Sequence, residues 1–367
     1  MECTNIPKIL IDLSPLRHKY CGLWEYSAQL GTHLLEELDF SKADVTFLVS
    51  ADHPFPKDAP VKYKTVSSFF TRYVRLWMSH YDLLHTIAYP SRFQPYMSFF
   101  KGKWLATIQD LNFLYEKQGT KQRKYLKRYK RHLGRITELV CISKYVENDV
   151  RRTSAYVHPI EIVYNGIAST EHIVPLRTAR MEAITGPFLL SVGTFMRKKN
   201  LHVLLPLLAK LSDIQLVFAG KIARKEYFEE TMATVRKLGL EGRVVCLENV
   251  TEEEKKYLYI HCMAFVFPSF AEGFGVPPIE AMSYGKPVFV SDLTSIPEIC
   301  GEMAFYWTDF VPENMLSVFQ KGMETYQKNP LFPEKLKQYA TRYSWRRTTR
   351  QYIRLYEECL HMSLSKV

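Results

Sequence analysis

Short apolar runs alternate with longer amphipathic stretches along the whole chain, and this alternation predicts its elements. KILIDLS at 8–14 reads as a buried strand and WEYSAQLGTHLLEEL as the helix that follows it. VTFLVS (45–50), YDLLHTI (81–87), KWLATIQD (103–110) and LVCISK (139–144) are further strands. The rhythm weakens over 163–187, where VYNGI ends a strand and a polar stretch runs to ITGPF, and it restarts with FLLSVGT at 188–194. A helix at 200–211, IQLVFAG, a helix at 225–239, VVCLENV, HCMAFVFPS, a helix from 278 and KPVFVSD complete the series. Strands that are apolar throughout are buried on both faces. The expected fold is therefore α/β, with two doubly wound, Rossmann-like domains of parallel strands covered by helices. The expected boundaries are 1–175 and 176–344, with the hinge near 170–185. In such sheets ligands lie outside the carboxyl ends of the strands, so chemistry is expected in the loops just after them.

Composition narrows the class. Of 367 residues 47% are hydrophobic and 24% charged, enough apolar material for two cores and too much for a disordered chain. No window approaches the apolar length of a membrane span, and the opening MECTNIPKILIDLSP lacks the pattern of a signal peptide, so a cytoplasmic location is expected. Seven cysteines without CxxC spacing predict reduced thiols and no metal site. The net charge of +11 is unevenly placed: residues 51–200 carry 25 Lys and Arg against 11 Asp and Glu, or +14, and the rest of the chain is at −3. One face of the first half therefore meets something anionic.

The segment PSFAEGFGVPPIEAMSYGKPVFVSD, 268–292, carries the strongest chemical signal. Glu272 and Glu280 stand eight positions apart, separated by a Gly-rich turn and by Pro277-Pro278, which can open a helix. Glu280 is expected in the first turn of that helix, near the positive end of its dipole. Gly273 and Gly275 allow backbone N–H groups to approach a ligand closely. One carboxylate can then accept sugar hydroxyls and the other ribose hydroxyls. By spacing alone, a capped surface helix with two solvated glutamates fits equally well.

The order of neighbouring segments goes further. The stretch resembles the E-x7-E signature of family 4 of the retaining glycosyltransferases (glycosyl transferases group 1), which have the GT-B fold. The resemblance runs through LLSVGTFMRKKNLHVLLPLLAKL, IQLVFAGK, VVCLENVTEEEKKYLYIHCMAFVFPS, SIPEICGEMAFYW and the closing YSWRRTTRQYIRLYEECL. It is looser in the first half, through IDLSPL, CGLWEYSAQL, YDLLH, TIQDLNF, CISKYVENDV and VYNGI. It implies two domains facing across a cleft, with a closing helix at 345–362 crossing back to the first.

The family's basic segment often reads G-T-x-x-P-R-K-N, and here it is Gly193-Thr194-Phe195-Met196-Arg197-Lys198-Lys199-Asn200. The resemblance implies that Arg197 and Lys199 direct cations at a diphosphate leaving group, with Gly193, Lys198 and Asn200 beside them. Only Arg197 offers the planar fork that Lys198, at the usual Arg position, lacks. It further implies that Val250 lines the base pocket, that Phe274, Gly275 and Val276 offer backbone N–H groups, and that Gly22 approaches the diphosphate. Glu280 would hold the ribose and Glu272 the sugar. Trp24 replaces the second glycine of the family's G-I-G-R-Y loop and is a candidate for the acceptor side, together with His85 and Asp110. His85 reads equally well as a satisfied strand-end histidine.

Gln109-Asp110 stands where many members have His-Asp. Glutamine can position a sugar but cannot act as a general base; in this family the leaving phosphate is thought to take the acceptor proton. No Asp-x-Asp triplet occurs, so no metal and no cofactor are expected.

Two basic stretches account for most of the charge asymmetry. KQRKYLKRYKRHLGRI, 121–136, holds eight Lys and Arg and no acid, with Tyr125, Leu126, Tyr129, Leu133 and Ile136 on one helical stripe. Lys124, Lys127, Arg128 and Arg131 fall outside the stripe. FFTRYVRLWM, 69–78, gathers Phe69, Phe70 and Trp77 on one side and Arg72 and Arg75 on the other. Aromatic and basic residues together suit an anionic membrane surface. The alternative is that both stretches pack their stripe inward and leave the cations solvated. No nucleic-acid motif is present.

The expected activity is transfer of a hexose, GDP-mannose being the first guess for the donor, to a lipid-linked or saccharide acceptor in cell-surface polysaccharide or lipopolysaccharide synthesis, by an enzyme peripheral on the cytoplasmic face of a membrane. The alternatives are another GT-B sugar-nucleotide enzyme of epimerase or phosphorylase type, or a non-catalytic membrane-bound sugar-nucleotide sensor, the latter motivated by Gln109 and Trp24.

Overall fold

The computed structural model describes residues 6–17, 19, 21–65, 78–91 and 100–366. The stretch holding Phe69, Phe70, Arg72, Arg75 and Trp77 lies outside the described residues.

In the first unit the strands are β1 (Lys8–Asp12), β2 (Asp44–Val49), β3 (Lys62–Thr65), β4 (Leu83–Thr86), β5 (Lys103–Ile108), β6 (Glu138–Cys141) and β7 (Ile160–Ile162). They pair in parallel in the order β3-β2-β1-β4-β5-β6-β7, so the winding reverses between β1 and β4. The central strands are mainly apolar and buried on both faces, as helical cover requires. The outermost two, KYKT and IEI, are short, partly exposed and mixed in polarity, which hides them from an apolar-run search.

The second unit contains β8 (Phe188–Val192), β9 (Gln215–Ala219), β10 (Val244–Leu247), β11 (Ala264–Phe267), β12 (Val288–Ser291) and β13 (Phe305–Trp307). Their parallel order is β10-β9-β8-β11-β12-β13, with the reversal between β8 and β11. The strand β13 has only three residues and no signature of its own length.

Residues up to 166 together with 344–367 form one unit and 167–343 the other. The expected boundary after residue 175 lies nine residues too late. The polar stretch there belongs to the second unit: Lys256 donates to the carbonyls of Thr170 and Ile173, and the Thr170 and Tyr284 hydroxyls lie 2.6 Å apart. The closing helix, Trp345–Leu360, is capped by Ser344, whose Oγ accepts from the Arg347 N–H, and packs in the core of the first unit. It buries Trp345, Tyr352 and Tyr356. A hydroxyl chain fixes it there: Tyr26 to Tyr352 at 2.7 Å, Tyr352 to Thr107 at 3.0 Å, and His85 between Thr107 (2.9 Å) and Tyr356 (2.7 Å).

Two helices begin elsewhere than the sequence predicts. The helix expected at 200–211 is a pair of 3-10 turns, Arg197–Lys199 and Leu201–Val203, followed by a short α-helix at Leu204–Ala209. Asn200, between the turns, is left-handed (φ 55°) and cannot belong to an α-helix. The helix expected from 278 runs Val276–Ser283, because the left-handed Gly275 (φ 101°) starts it before the prolines. Glu280 is therefore its fifth residue, past the first turn.

Candidate functional site

The second unit places its basic and acidic loops on either side of the point where the sheet order reverses. After β8 comes the turn 193–200, and after β11 the segment 268–275. They are tied by main chain as well as by charge: the Lys198 carbonyl accepts from the Phe270 N–H (2.7 Å) and lies 3.0 Å from the Ser269 Oγ. Lys199 Nζ then reaches Glu272 Oε1 at 2.6 Å, with the two side chains only 13% and 11% exposed. The ammonium also lies 4.8 Å from the Phe267 ring centre, and Ser269 Oγ donates to the same Oε1. This leaves Oε2 of Glu272 with no donor among the described residues. The Glu272 main chain is held too, its N–H donating to Thr294 Oγ1 and its carbonyl accepting from Ser295 Oγ.

Glycine is required where the strand ends crowd. Gly220 has φ 150°, and a Cβ there would stand 2.1 Å from the Gly193 carbonyl oxygen. A Cβ on Gly275 would lie 2.5 Å from Ile296 Cδ1. Two first-turn positions of the Val276–Ser283 helix are proline, so its unpaired N–H groups are concentrated at Gly275 and Val276, which have no protein acceptor among the described residues. Phe274 contributes main chain only, since its ring is buried edge-on against Tyr343.

Glu280 Oε2 accepts from the Tyr259 hydroxyl at 2.8 Å, and Oε1 lies 3.4 Å from Lys255 Nζ. Tyr259 in turn stacks on Tyr284, with ring planes 13° apart. Lys255, Tyr259 and Ser269 were not found by sequence reasoning. The first two sit on the Glu252–His261 helix, more than twenty positions from Glu280, and no local spacing links them.

Several expected site residues stand differently. Arg197 turns to the Lys225–Lys237 helix, where its Nη2 spans both oxygens of Glu230 at 2.6 Å and its guanidinium lies 5.5 Å from the Tyr227 ring. The 3-10 turn sends successive side chains in different directions, so the structure unites Lys199, not Arg197, with Glu272. Asn200 is fully buried, with neither amide atom partnered among the described residues. Its amide points into protein and its backbone makes the left-handed turn. Val250 is half-buried, three residues beyond β10.

In the first unit Gln109 follows β5 and its Nε2 donates to the Ile87 carbonyl at 2.9 Å. Asp110 is exposed and accepts from the Asn112 N–H. Gly22 opens the Gly22–Glu37 helix with open space around its α-carbon, and Trp24 packs partly on the core. His85 is fully buried with both ring nitrogens engaged, and burial pushes its pKa down to about 3. It presents nothing to an acceptor, and the strand-end reading is the correct one.

The basic stretch forms a helix, Gly119–Lys130, and a separate 3-10 turn, Leu133–Arg135. Tyr129, Leu133 and Ile136 are buried, whereas Tyr125 is 44% exposed, so the inner stripe is shorter than expected. Lys124, Lys127, Arg128 and Arg131 are exposed. Among the described residues no helix is long and apolar enough to cross a membrane, and no three His, Cys, Asp or Glu side chains are grouped as a metal site needs.

Comparison with known proteins places this geometry. Residues 180–343 match the model of the family described as Glycosyl transferases group 1. Over 92% of its length the chain is 23% identical to the O-antigen chain mannosyltransferase RfbU of Salmonella typhimurium, covering 96% of that protein. A 173-residue stretch is 31% identical to the serotype-specific mannosyltransferase WbdA of Escherichia coli, over 44% of this chain and 20% of WbdA. Among solved structures, sucrose-phosphate synthase from Thermosynechococcus elongatus superposes with TM-score 0.77 at 19% identity, over 97% of this chain and 99% of that one. HepE of Anabaena, in complex with UDP and glucose, superposes with TM-score 0.76 at 16% identity, over 96% and 100%.

Proposed function

We propose that this chain, which has the GT-B fold and matches the group 1 glycosyltransferase model over residues 180–343, is a glycosyltransferase of that family that moves mannose from GDP-mannose, with retention, to a lipid-linked or saccharide acceptor in O-antigen or related cell-surface polysaccharide synthesis. The observation that carries this reading is the Lys199–Glu272 pair at the reversal point of the second sheet. A cation fixed there meets the charge that develops on a departing diphosphate. Glu272, held through Oε1, keeps Oε2 for a hydroxyl of the transferred sugar. Glu280, oriented by Tyr259, accepts from the ribose diol. The N–H groups of Gly275 and Val276 take phosphate oxygens.

In the step itself the bond from the anomeric carbon to the diphosphate breaks and a bond to the acceptor oxygen forms on the same face. The acceptor proton passes to the leaving diphosphate, so Gln109 need only position sugar. No metal is needed in this scheme, since Lys199 and the backbone donors take its charge-balancing role. The mannosyltransferase names of RfbU and WbdA support the choice of sugar. The exposed cations of the Gly119–Lys130 helix support work at the cytoplasmic face of an anionic membrane.

A thermal-shift screen across GDP-, UDP-, TDP- and ADP-sugars, followed by single-turnover release of nucleoside diphosphate with a saccharide acceptor, tests the reading. GDP-mannose is expected to give the largest shift and acceptor-dependent GDP release. Stabilisation without any turnover would instead favour a sugar-nucleotide sensor, and stabilisation by none of the four would reject the donor site.

A further inference from the structure

We propose that the arginine-lined pocket on the closing helix is a phosphoryl-binding site, separate from the donor site. The cavity is about 370 Å³ and is lined by Ser344, Arg346, Arg347, Arg350, Gln351 and Arg354. All six belong to the first unit, and none is used in the proposed transfer, so the inference stands independently of that reading.

The helix cannot turn these arginines inward. Its opposite face buries Trp345, Tyr352, Ile353 and Tyr356, which holds the arginine face toward solvent. Positions three to four apart lie one above another about one turn (~5.4 Å) apart, so Arg347, Arg350 with Gln351, and Arg354 form a ladder. Two of the forks are pre-oriented. Arg346 Nε and Arg350 Nε each donate at 2.8 Å to a different oxygen of Glu37. Burial raises the Glu37 pKa, but the hydrogen bonds from Arg350 and Arg346 outweigh it and hold the carboxyl below its usual range. With Nε engaged, the Nη groups of both arginines have no further acceptor among the described residues. Arg354 pairs with Glu161 and, more distantly, Glu358, while Arg347 has no acidic partner among the described residues.

Three guanidiniums thus share three carboxylates and a fourth, Arg347, has none among the described residues, while all four line one concavity with a hydroxyl and a carboxamide at its wall. Planar forks match phosphate oxygens two at a time, and a carboxylate that fixes them beforehand lowers the ordering cost of binding. The volume lies at the small end for ligand pockets and suits a phosphate or diphosphate group rather than a whole sugar nucleotide. That group can come from a free ion or from a phospholipid headgroup.

The test uses the full chain and the Arg347→Ala/Arg354→Ala double variant, which leaves the Glu37 pairs intact, with circular dichroism confirming the fold. Inorganic pyrophosphate is titrated calorimetrically at constant ionic strength. In parallel, sedimentation is measured with vesicles of phosphatidylcholine alone and with phosphatidic acid added. Losing charge-assisted bonds from two arginines is expected to weaken pyrophosphate binding by about a hundredfold, and Arg347→Lys/Arg354→Lys, which keeps charge but not forks, should recover only part of it. If the site serves lipid, the loss appears with phosphatidic acid vesicles and not with free pyrophosphate. Binding equal in wild type and double variant, vesicle binding abolished only by Lys124→Glu/Arg128→Glu/Arg131→Glu, or no binding in either arm would each overturn the proposal.

Discussion

Replacing Lys199 by Met and Glu272 by Gln, singly and together, measures the ion pair that joins the loops after β8 and β11. The pair spans 2.6 Å and both side chains are nearly buried, so water screens it little. Opposite charges about 4 Å apart attract by roughly 4 kcal/mol at an effective dielectric near 20, before desolvation is subtracted. Stranding one member of a buried pair costs roughly 3–5 kcal/mol when nothing else compensates it. Here something does. After Lys199→Met, Glu272 keeps the Ser269 hydroxyl; after Glu272→Gln, Lys199 keeps the Phe267 ring and an amide oxygen. We therefore expect losses of about 2 kcal/mol for Lys199→Met and about 1 kcal/mol for Glu272→Gln, with the double variant less destabilised than their sum by about 1–2 kcal/mol. Urea unfolding followed by fluorine NMR of fluorotryptophan isolates the second unit, because Trp307 is its only tryptophan and is buried. Single losses that add to within about 0.5 kcal/mol in the double variant would refute the coupling. In single-turnover assays Lys199→Met is expected to slow nucleoside diphosphate release by about a hundredfold or more.

Other outcomes follow from the same geometry. Arg197→Ala should change stability by less than about 0.5 kcal/mol, since its pair with Glu230 is exposed, and should slow turnover less than Lys199→Met does; the opposite order in single-turnover rates would restore Arg197 to the diphosphate. Gly220→Ala should cost about 3 kcal/mol or leave the chain insoluble, as its Cβ would meet the Gly193 carbonyl; expression and melting of the variant decide it. His85 favours its neutral form when folded and accepts a proton more readily when unfolded. Its contribution is therefore fully present above about pH 6.5 and is lost as pH falls toward 3, at roughly 1.4 kcal/mol per pH unit between pH 6 and 4. Comparing His85→Gln with wild type across that range should expose this slope, and a pH-independent difference would contradict it.

The pattern of apolar runs was sufficient for the central strands, because a parallel strand buried on both faces must be mainly apolar, and its few polar side chains, such as His85 and Thr107, find partners inside. Edge strands such as KYKT escape that constraint. The paired glutamates were legible for a local reason, since the glycine and proline positions between them follow from backbone geometry over a few residues, whereas the Lys199-Asn200 turn was legible only through the family resemblance. Asn200 was legible as a motif yet not in role, since whether its amide faces ligand or protein depends on the left-handed turn around it.

The sequence by itself determined the fold class, the family resemblance and which loops carry charge. Only the tertiary structure decided which cation meets Glu272, that Tyr259 and Lys255 orient Glu280, and that His85 lies in the core. It also brought Arg346 and Arg350 of the closing helix onto Glu37, more than three hundred residues away in the chain. Residues as close as Arg197 and Lys199 carry the same charge, and the direction each takes is set by partners on other elements, Glu230 for one and Glu272 for the other. Pairings between elements leave no period in a sequence, because only the packing of those elements brings the partners within reach.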